Sequence, residues 1–138
     1  MKMISMFGLL VFLLCSCGGT RGRTDYSLGF YNNTNVMIDN ESIKFGDVST
    51  VGGVVVSKGV KVNFYLPRPT PGRVTVVYDL SDGKTVSKEI NLRQRVPAEF
   101  IGIIFFTLNP DLTLTFETYT YDDYFSGKGP SGNVNPKQ

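Results

Sequence analysis

The strongest constraint on the fold is an Asp-Gly dipeptide between two stretches in which apolar and polar residues alternate. Residues 74–80 and 85–92 alternate in this way, and Asp82-Gly83 lies between them. A period of two residues is that of a half-buried β-strand, and Asp-Gly suits a tight turn whose two central residues have positive φ. These residues therefore predict a β-hairpin closed by a type I′ turn.

A second hairpin is predicted towards the C-terminus. Residues 101–108 are apolar on both faces, which is expected of a central strand covered on two sides. Asn109-Pro110-Asp111 follow as a turn, and residues 112–119 return with clean alternation. We expect these two strands to pair with each other in the core of the domain.

The rest of the chain also favours strands. Residues 60–66 alternate, with Val60, Val62, Phe64 and Leu66 on one face and Lys61, Asn63 and Tyr65 on the other. Weaker strands are predicted over residues 28–31, 36–45 and 51–56, and no window shows helical periodicity. Seven or so short strands with frequent turns predict an all-β fold, a small antiparallel two-sheet sandwich resembling an immunoglobulin domain.

The N-terminus has the layout of a bacterial lipoprotein signal. Lys2 precedes a short apolar run that is too short to cross a bilayer, and the run ends in Leu14-Cys15-Ser16-Cys17. This pattern predicts a signal peptide over residues 1–16 and a lipid on Cys17 that ties the protein to a membrane. The alternative is an ordinary secretory signal that is cut somewhere after Gly18, with no role for Cys17. Gly18 instead of Asp after the cysteine favours the outer membrane, and we expect the protein at its periplasmic face.

The same pattern divides the chain into segments. Residues 17–27 contain little apolar sequence and predict a lipidated tether, and residues 28–121 predict the β-sandwich domain. Residues 122–138 are rich in Gly, Pro and polar residues towards their end and predict a flexible C-terminal tail.

The missing residue types argue against several function classes. The chain has no His, and its two cysteines are Cys15 and Cys17, of which only Cys17 remains after cleavage. The usual base of a catalytic triad and the commonest metal ligand are therefore absent. The formal net charge is +2 without a basic run, whereas a nucleic-acid binder normally shows a basic patch. We expect no enzyme, no cofactor, no metal and no nucleic acid.

Two segments are candidates for contact with a partner protein. The first surrounds two acids with aromatic residues, as protein interfaces often do. The second is a proline-set loop with two arginines, which could dock an acidic partner at low entropic cost. The candidate residues are Tyr119, Tyr121, Asp122, Asp123 and Tyr124 in the first segment and Arg68 and Arg73 in the second. The alternatives are that the aromatic residues pack against the sandwich and that the loop only connects two strands.

Several short motifs together resemble a known family. They are Tyr-Asn-Asn-Thr at 31–34, residues 38–43, Gly52-Gly53, Leu66-Pro67, residues 71–76 and residues 103–116. This pattern is similar to small Gram-negative lipoproteins that are often encoded beside type VI secretion phospholipase effectors. Phe64-Tyr65 stand where the family commonly has two cysteines, and Asn33 stands where it often has His.

The resemblance implies an immunity protein that binds and neutralises a secreted lipase-like effector. The alternative function is that of a structural or accessory envelope lipoprotein that binds a glycan or another protein. For the glycan, the aromatic segment at Tyr119 would provide the platform.

Overall fold

The structure is a computed structural model that describes residues 25–130, and in them two β-sheets pack face to face. The predicted signal peptide, Cys17 and residues 131–138 lie outside the described residues. The elements are β1 (Tyr26–Asn32), β2 (Ile38–Phe45), β3 (Val48–Ser49), β4 (Gly53–Val55), β5 (Val60–Leu66), β6 (Arg73–Asp79), β7 (Thr85–Asn91), β8 (Gly102–Leu108), β9 (Leu114–Tyr119) and α1 (Tyr121–Phe125).

The predicted fold class, an all-β two-sheet sandwich, is confirmed. One sheet has the order β5-β1-β8-β9, and the other has the order β3-β2-β6-β7, with β4 also paired to β2. The pairings are antiparallel with one exception, because β1 runs parallel to β8 from the Tyr26–Gly102 pair to the Asn32–Leu108 pair. A parallel pair needs a long crossover between its strands, and here β2 to β7 lie between β1 and β8 in the chain.

The sandwich has two ends that differ in what they carry. At the helix end, β1 and β8 begin, β5 and β9 end, and α1 lies beside them. At the far end, β1 turns into β2, β4 turns into β5, and the two predicted hairpins make their turns. Asp25, the first described residue, is therefore at the helix end.

The main core fills the space between the sheets with the inward residues of each strand. It includes Leu28 and Phe30 of β1, Val76 of β6 and Phe106 of β8, all of them buried. Burial of such side chains stabilises a fold by about 1.5–3 kcal/mol each. The prediction that residues 101–108 form a strand covered on both faces is confirmed, since β8 is buried along almost its whole length.

A second apolar cluster covers the outer face of the β5-β1-β8-β9 sheet. Its buried members are Tyr31, Ile103, Phe105 and Tyr121, with Val60, Val62, Tyr119 and Tyr124 packed around them. Gly29 makes this packing possible, because a Cβ atom there would collide with the ring of Phe105. The helix α1 thus seals one outer face of the sandwich.

Strand β5 departs from the predicted alternation. Phe30 pairs with Lys61 and Gly29 with Val62, so Lys61 points between the sheets and Val62 points outward. Leu66 nevertheless packs in the main core, because Tyr65 has a positive φ of 62° and the pairing register shifts beside it. The prediction of one shared face for Val60, Val62, Phe64 and Leu66 is therefore wrong; the bulge reverses the side-chain alternation.

The two hairpins are confirmed, but the first turn is not of type I′. In that turn the amide of Gly83 donates to the carbonyl of Leu80, and Gly83 alone has positive φ, at 83°. The second turn has the same form: the amide of Leu112 donates to the carbonyl of Asn109, and Leu112 has φ 66°. Both are turns of the kind that end in a left-handed residue and a bulge.

The domain edges also differ from the predicted boundaries. Tyr26 and Ser27, predicted in the tether, belong to β1 and are buried. The helix α1 crosses the predicted boundary at residue 122, and Thr120 caps it by accepting a hydrogen bond from the amide of Asp123. No helix was expected from the sequence, and a helix of five residues is too short to show a period.

Within residues 25–130, none of the helices has the length and apolar character needed to span a bilayer.

Candidate functional site

The aromatic candidates at the C-terminal segment are mostly packing residues. Tyr121 is 8% exposed, and its hydroxyl lies 2.8 Å from Ser27 Oγ and donates to the carbonyl of Asp25 at 3.1 Å. Tyr124 packs its ring 5.5 Å from that of Phe105, and Tyr119 meets Phe105 edge-on at 5.9 Å. These three tyrosines therefore pack against the sheet, and Tyr121 and Tyr124 hold α1 against β1 and β8.

The ionisable groups of this segment are engaged with their neighbours. Burial, together with the hydrogen bond of 2.6 Å that its hydroxyl donates to Glu117, raises the pKa of Tyr119 to about 12. The ion pair with Lys128, at 3.0 Å, lowers the pKa of the Asp123 carboxyl. Tyr119 therefore remains a neutral donor at physiological pH, and Asp123 remains a carboxylate. Asp122 is in the first turn of the helix and is exposed.

Three other aromatic side chains form the exposed part of this region. Phe64 is 39% exposed, Tyr65 is 47% exposed and Phe125 is 44% exposed. The ring of Phe64 stacks on that of Phe125 with centroids 6.2 Å apart and 13° between planes, and it lies 5.5 Å from that of Tyr65. These three residues are called the aromatic surface below. Sequence reasoning singled out the neighbouring segment around Tyr121 but named none of these three residues as a candidate. Phe64 and Tyr65 were assigned to the two faces of a regular strand.

The two arginine candidates are both near the helix end but belong to different elements. Arg68 lies in the loop after β5 and pairs with Glu99 at 2.9 Å, and Arg73 begins β6 and pairs with Glu89 at 3.3 Å. Exposed pairs of this kind contribute roughly 0–1 kcal/mol. The loop itself is fixed by Thr70, whose amide donates to the carbonyl of Ala98. Hydrogen bonds to Pro97 and Ala98 thus brace the loop, and both arginines lie at the helix end in ion pairs.

The far end is organised by one buried amide. Asn32 is fully buried, and its Nδ2 lies 2.7, 3.0 and 3.2 Å from the carbonyl oxygens of Val36, Val55 and Val56. Its Oδ1 accepts from the amide and the hydroxyl of Thr34 at 3.1 and 2.6 Å. A single side chain therefore joins the loop between β1 and β2 to the end of β4. Sequence reasoning noted Tyr-Asn-Asn-Thr at 31–34 only as part of a family pattern.

The joined loops present exposed apolar side chains. They are Val36, Met37, Val54 and Val56, called the valine surface below; Met37 is 53% and Val56 is 59% exposed. Ile38 pairs with Val55, so the register puts Met37 opposite Val56, with both side chains away from the core. A shallow cleft of about 350 Å³ begins at Met37 and continues past Asp79 to the turn at Gly83. The sequence signal for this surface is the run of valines at 54–56. The register of β4 with β2 decides which of these valines are exposed.

The buried ion pair between the sheets is a structural feature. Lys61 Nζ donates to Glu41 Oε2 at 2.8 Å, to the Glu41 carbonyl at 3.1 Å and to the carbonyl of Val51. Burial raises the pKa of the Glu41 carboxyl, and Lys61 partly offsets that rise. Among the described residues Glu41 Oε1 has no hydrogen-bond partner. The pair links β5 of one sheet to β2 of the other.

The part of the chain from 25 to 130 contains no group of three or more Cys, Asp or Glu placed to hold a metal ion.

Comparison with known proteins gives a likeness of fold. No protein-family model matches the chain, and no curated protein matches it. An NMR structure of a protein from Eubacterium rectale is similar, with a TM-score of 0.51 and 10% sequence identity. The match covers 75% of this chain and 96% of that chain. At this level of identity, the chain shares a fold with that protein.

Proposed function

We propose that the protein is a membrane-anchored lipoprotein of the cell envelope that acts by binding a protein partner through the valine surface. The lipid on Cys17 would hold it at the periplasmic face of the outer membrane, and the partner is a secreted lipase-type effector that it neutralises. The observation that carries the proposal is the group of exposed apolar side chains at the end opposite Asp25. The partner class comes from the family resemblance of the sequence motifs.

The chemistry of the valine surface supports a protein contact. Protein interfaces have an apolar centre and a polar rim, and stable ones bury roughly 800 Å² on each partner. Met37 and Val56 provide the apolar centre, and Asp79 and Lys58 lie around it. The hydrogen bonds of Asn32 hold the loops in one arrangement, so that little conformational entropy is lost on binding.

Inhibition by such a surface needs no reactive group. A bound protein that covers the active site or the lipid-docking surface of a lipase inhibits the enzyme by occlusion. The slower the complex dissociates, the more complete the inhibition is. The absence of His from the chain is consistent with this mode of action.

One observation favours the alternative of an accessory lipoprotein that binds a glycan. The exposed rings of Phe64 and Phe125 are nearly parallel, and Tyr65 adds a hydroxyl beside them. Stacked aromatic rings offer apolar faces on which a sugar ring can lie. Alanine substitution of Tyr65 and Phe125 would then abolish glycan binding and leave neutralisation of an effector intact.

The test is protection of cells against a type VI secretion lipase effector, the partner class that the family resemblance implies. Met37→Asp and Val56→Asp place a charge in the apolar centre and should weaken binding at least about 100-fold, as loss of a central contact does. Val51→Asp is the matched control, since Val51 is 76% exposed but lies outside the valine surface. Binding of purified proteins and growth of effector-producing cells are the measurements. Equal protection by native protein, Met37→Asp and Val51→Asp would contradict the proposal.

A further inference from the structure

We propose that the aromatic surface rests in the headgroup region of the membrane that holds the lipid anchor, and so orients the domain. The inference rests on the proposed lipidation of Cys17 and goes beyond it, because it assigns a second membrane contact to the folded domain. The occupant is a zwitterionic lipid surface. The surface consists of Phe64, Tyr65 and Phe125, each of them about 40–50% exposed.

The position of the chain start carries the inference. The Tyr121 hydroxyl donates to the carbonyl of Asp25 and lies 2.8 Å from Ser27 Oγ, so α1 is attached to the first described residues. Phe125 stacks on Tyr121 with their centroids 6.3 Å apart. The aromatic surface is thus next to the point where the polypeptide leads back to Cys17.

The length of the intervening chain limits how far the domain can move from the bilayer. Eight residue steps separate Cys17 from Asp25, and eight extended residues span at most about 29 Å. A domain held this closely samples the membrane surface at a high effective concentration. An exposed apolar group beside the attachment point is therefore the part of the domain that meets the bilayer most often.

The chemistry of the surface fits the bilayer interface. Aromatic rings concentrate at the depth of the lipid headgroups, where an apolar ring and a polar hydroxyl are both satisfied. The charges on and beside the helix form no basic patch for anionic lipid, because Asp25, Asp122 and Asp123 are acidic, Lys128 is paired with Asp123 and Arg68 is paired with Glu99. The contact should therefore form on phosphatidylcholine and be insensitive to salt.

The experiment uses the absence of tryptophan from the chain. The full-length lipoprotein, lipidated in cells, is reconstituted in phosphatidylcholine vesicles that contain lipids brominated near the headgroup. Phe125→Trp and Phe64→Trp report on the aromatic surface, and Met37→Trp reports on the far end. Mass spectrometry of the reconstituted protein establishes the acyl chains on Cys17. Two aromatic-surface reporters keep the test valid if one of them perturbs folding.

We expect the indole fluorescence of Phe125→Trp or Phe64→Trp to be quenched at least about threefold more than that of Met37→Trp, in low and in high salt, as for a ring at headgroup depth. Equal quenching at the two ends in acylated protein would overturn the inference and leave the proposed function standing. If the fluorescence of Phe125→Trp changed on addition of effector and was not quenched by the brominated lipid, this surface would bind a protein partner and not the membrane. Protein without acyl chains on Cys17 would contradict the proposed anchoring and the inference together.

Discussion

The two ends of the sandwich are held in different ways. At the helix end, aromatic rings pack against one another. The ring of Tyr124 lies against Phe105, Tyr121 is buried in the same cluster, and Phe64 and Phe125 are partly exposed. At the far end a single buried amide, that of Asn32, joins two loops through hydrogen bonds. Packing spreads its stabilisation over many contacts, whereas a buried hydrogen-bond hub concentrates it in one residue.

The two ends therefore present different side chains to their surroundings. The helix end offers aromatic rings next to the start of the domain, which suits a bilayer interface. The far end offers aliphatic side chains in fixed loops, which suits a protein surface. Substitutions that disturb one end and leave the other intact are therefore the most informative.

The largest effect is expected from Asn32→Ala at the far end. Its loss takes a donor from the carbonyl of Val55 and the acceptor from the amide of Thr34. Each buried group left unsatisfied costs about 1–3 kcal/mol, so we expect the free energy of unfolding to fall by about 3 kcal/mol. Urea unfolding measures this change in the free energy of unfolding. Asn33→Ala is the control, since Asn33 is not buried, and should change stability by less than about 0.5 kcal/mol. Equal effects of the two substitutions would show that Asn32 is not the hub.

A smaller effect is expected from Gly29→Ala at the helix end. The added methyl group would displace the Phe105 ring, against which Tyr119 and Tyr124 pack. Overpacking of this kind lowers the free energy of unfolding by about 2 kcal/mol. Near-ultraviolet circular dichroism should lose part of its tyrosine signal, and urea unfolding gives the stability. Gly53→Ala is the control, because a Cβ atom there meets other atoms only at ordinary contact distance. An unchanged spectrum of Gly29→Ala would contradict the role given to the second cluster.

The smallest effect concerns the charge of Asp79 in the cleft of the far end. Hydrogen bonds from Asn40 Nδ2 at 2.7 Å and the Thr85 hydroxyl at 2.6 Å lower the pKa of this carboxyl. A lowered folded pKa gives stability that is present above the unfolded value of about 3.9 and is lost as the pH falls through the folded value. Asn40→Gly removes one donor and is compatible with the φ of 48° at this position.

The measurement for Asp79 is a carboxyl titration by NMR. We expect the pKa of Asp79 to rise towards its ordinary value in Asn40→Gly and the acid-induced loss of stability to diminish. Asp111 is the internal control, because its pKa is lowered by Thr113 in the other far-end turn and should not change. A pKa of Asp79 that is the same in both proteins would contradict the role of Asn40.

The parts of the fold that follow from local signals could be predicted from the sequence. Asp82-Gly83 and Asn109-Pro110-Asp111 marked the two hairpins, and the apolar run at 101–108 marked the doubly covered strand. The orientation of Lys61 could not, because it depends on the register of β5 with β1. The bulge that returns Leu66 to the core could not either, because Tyr65 is a non-glycine residue at positive φ without a sequence signal. The ion pair with Glu41 depends on that register.

The candidate surfaces were predictable only in part. The aromatic segment around Tyr121 was found from composition. The exposed aromatic residues of this region are Phe64, Tyr65 and Phe125, which come together only through the tertiary fold. The valine surface depends on the register of β4 with β2, which turns Val55 inward and Val54 and Val56 outward. A run of three valines does not carry that information.

Hydrogen exchange of the lipoprotein in phosphatidylcholine nanodiscs tests the central claim, that the two ends face membrane and partner respectively. The comparison is with the soluble Cys17→Ser protein, analysed by mass spectrometry. The account predicts added protection in residues 63–67 and 120–126 on the nanodisc, and added protection in residues 34–38 and 53–57 only when the effector is present. Membrane-dependent protection in the far-end segments, with none around α1, would contradict it.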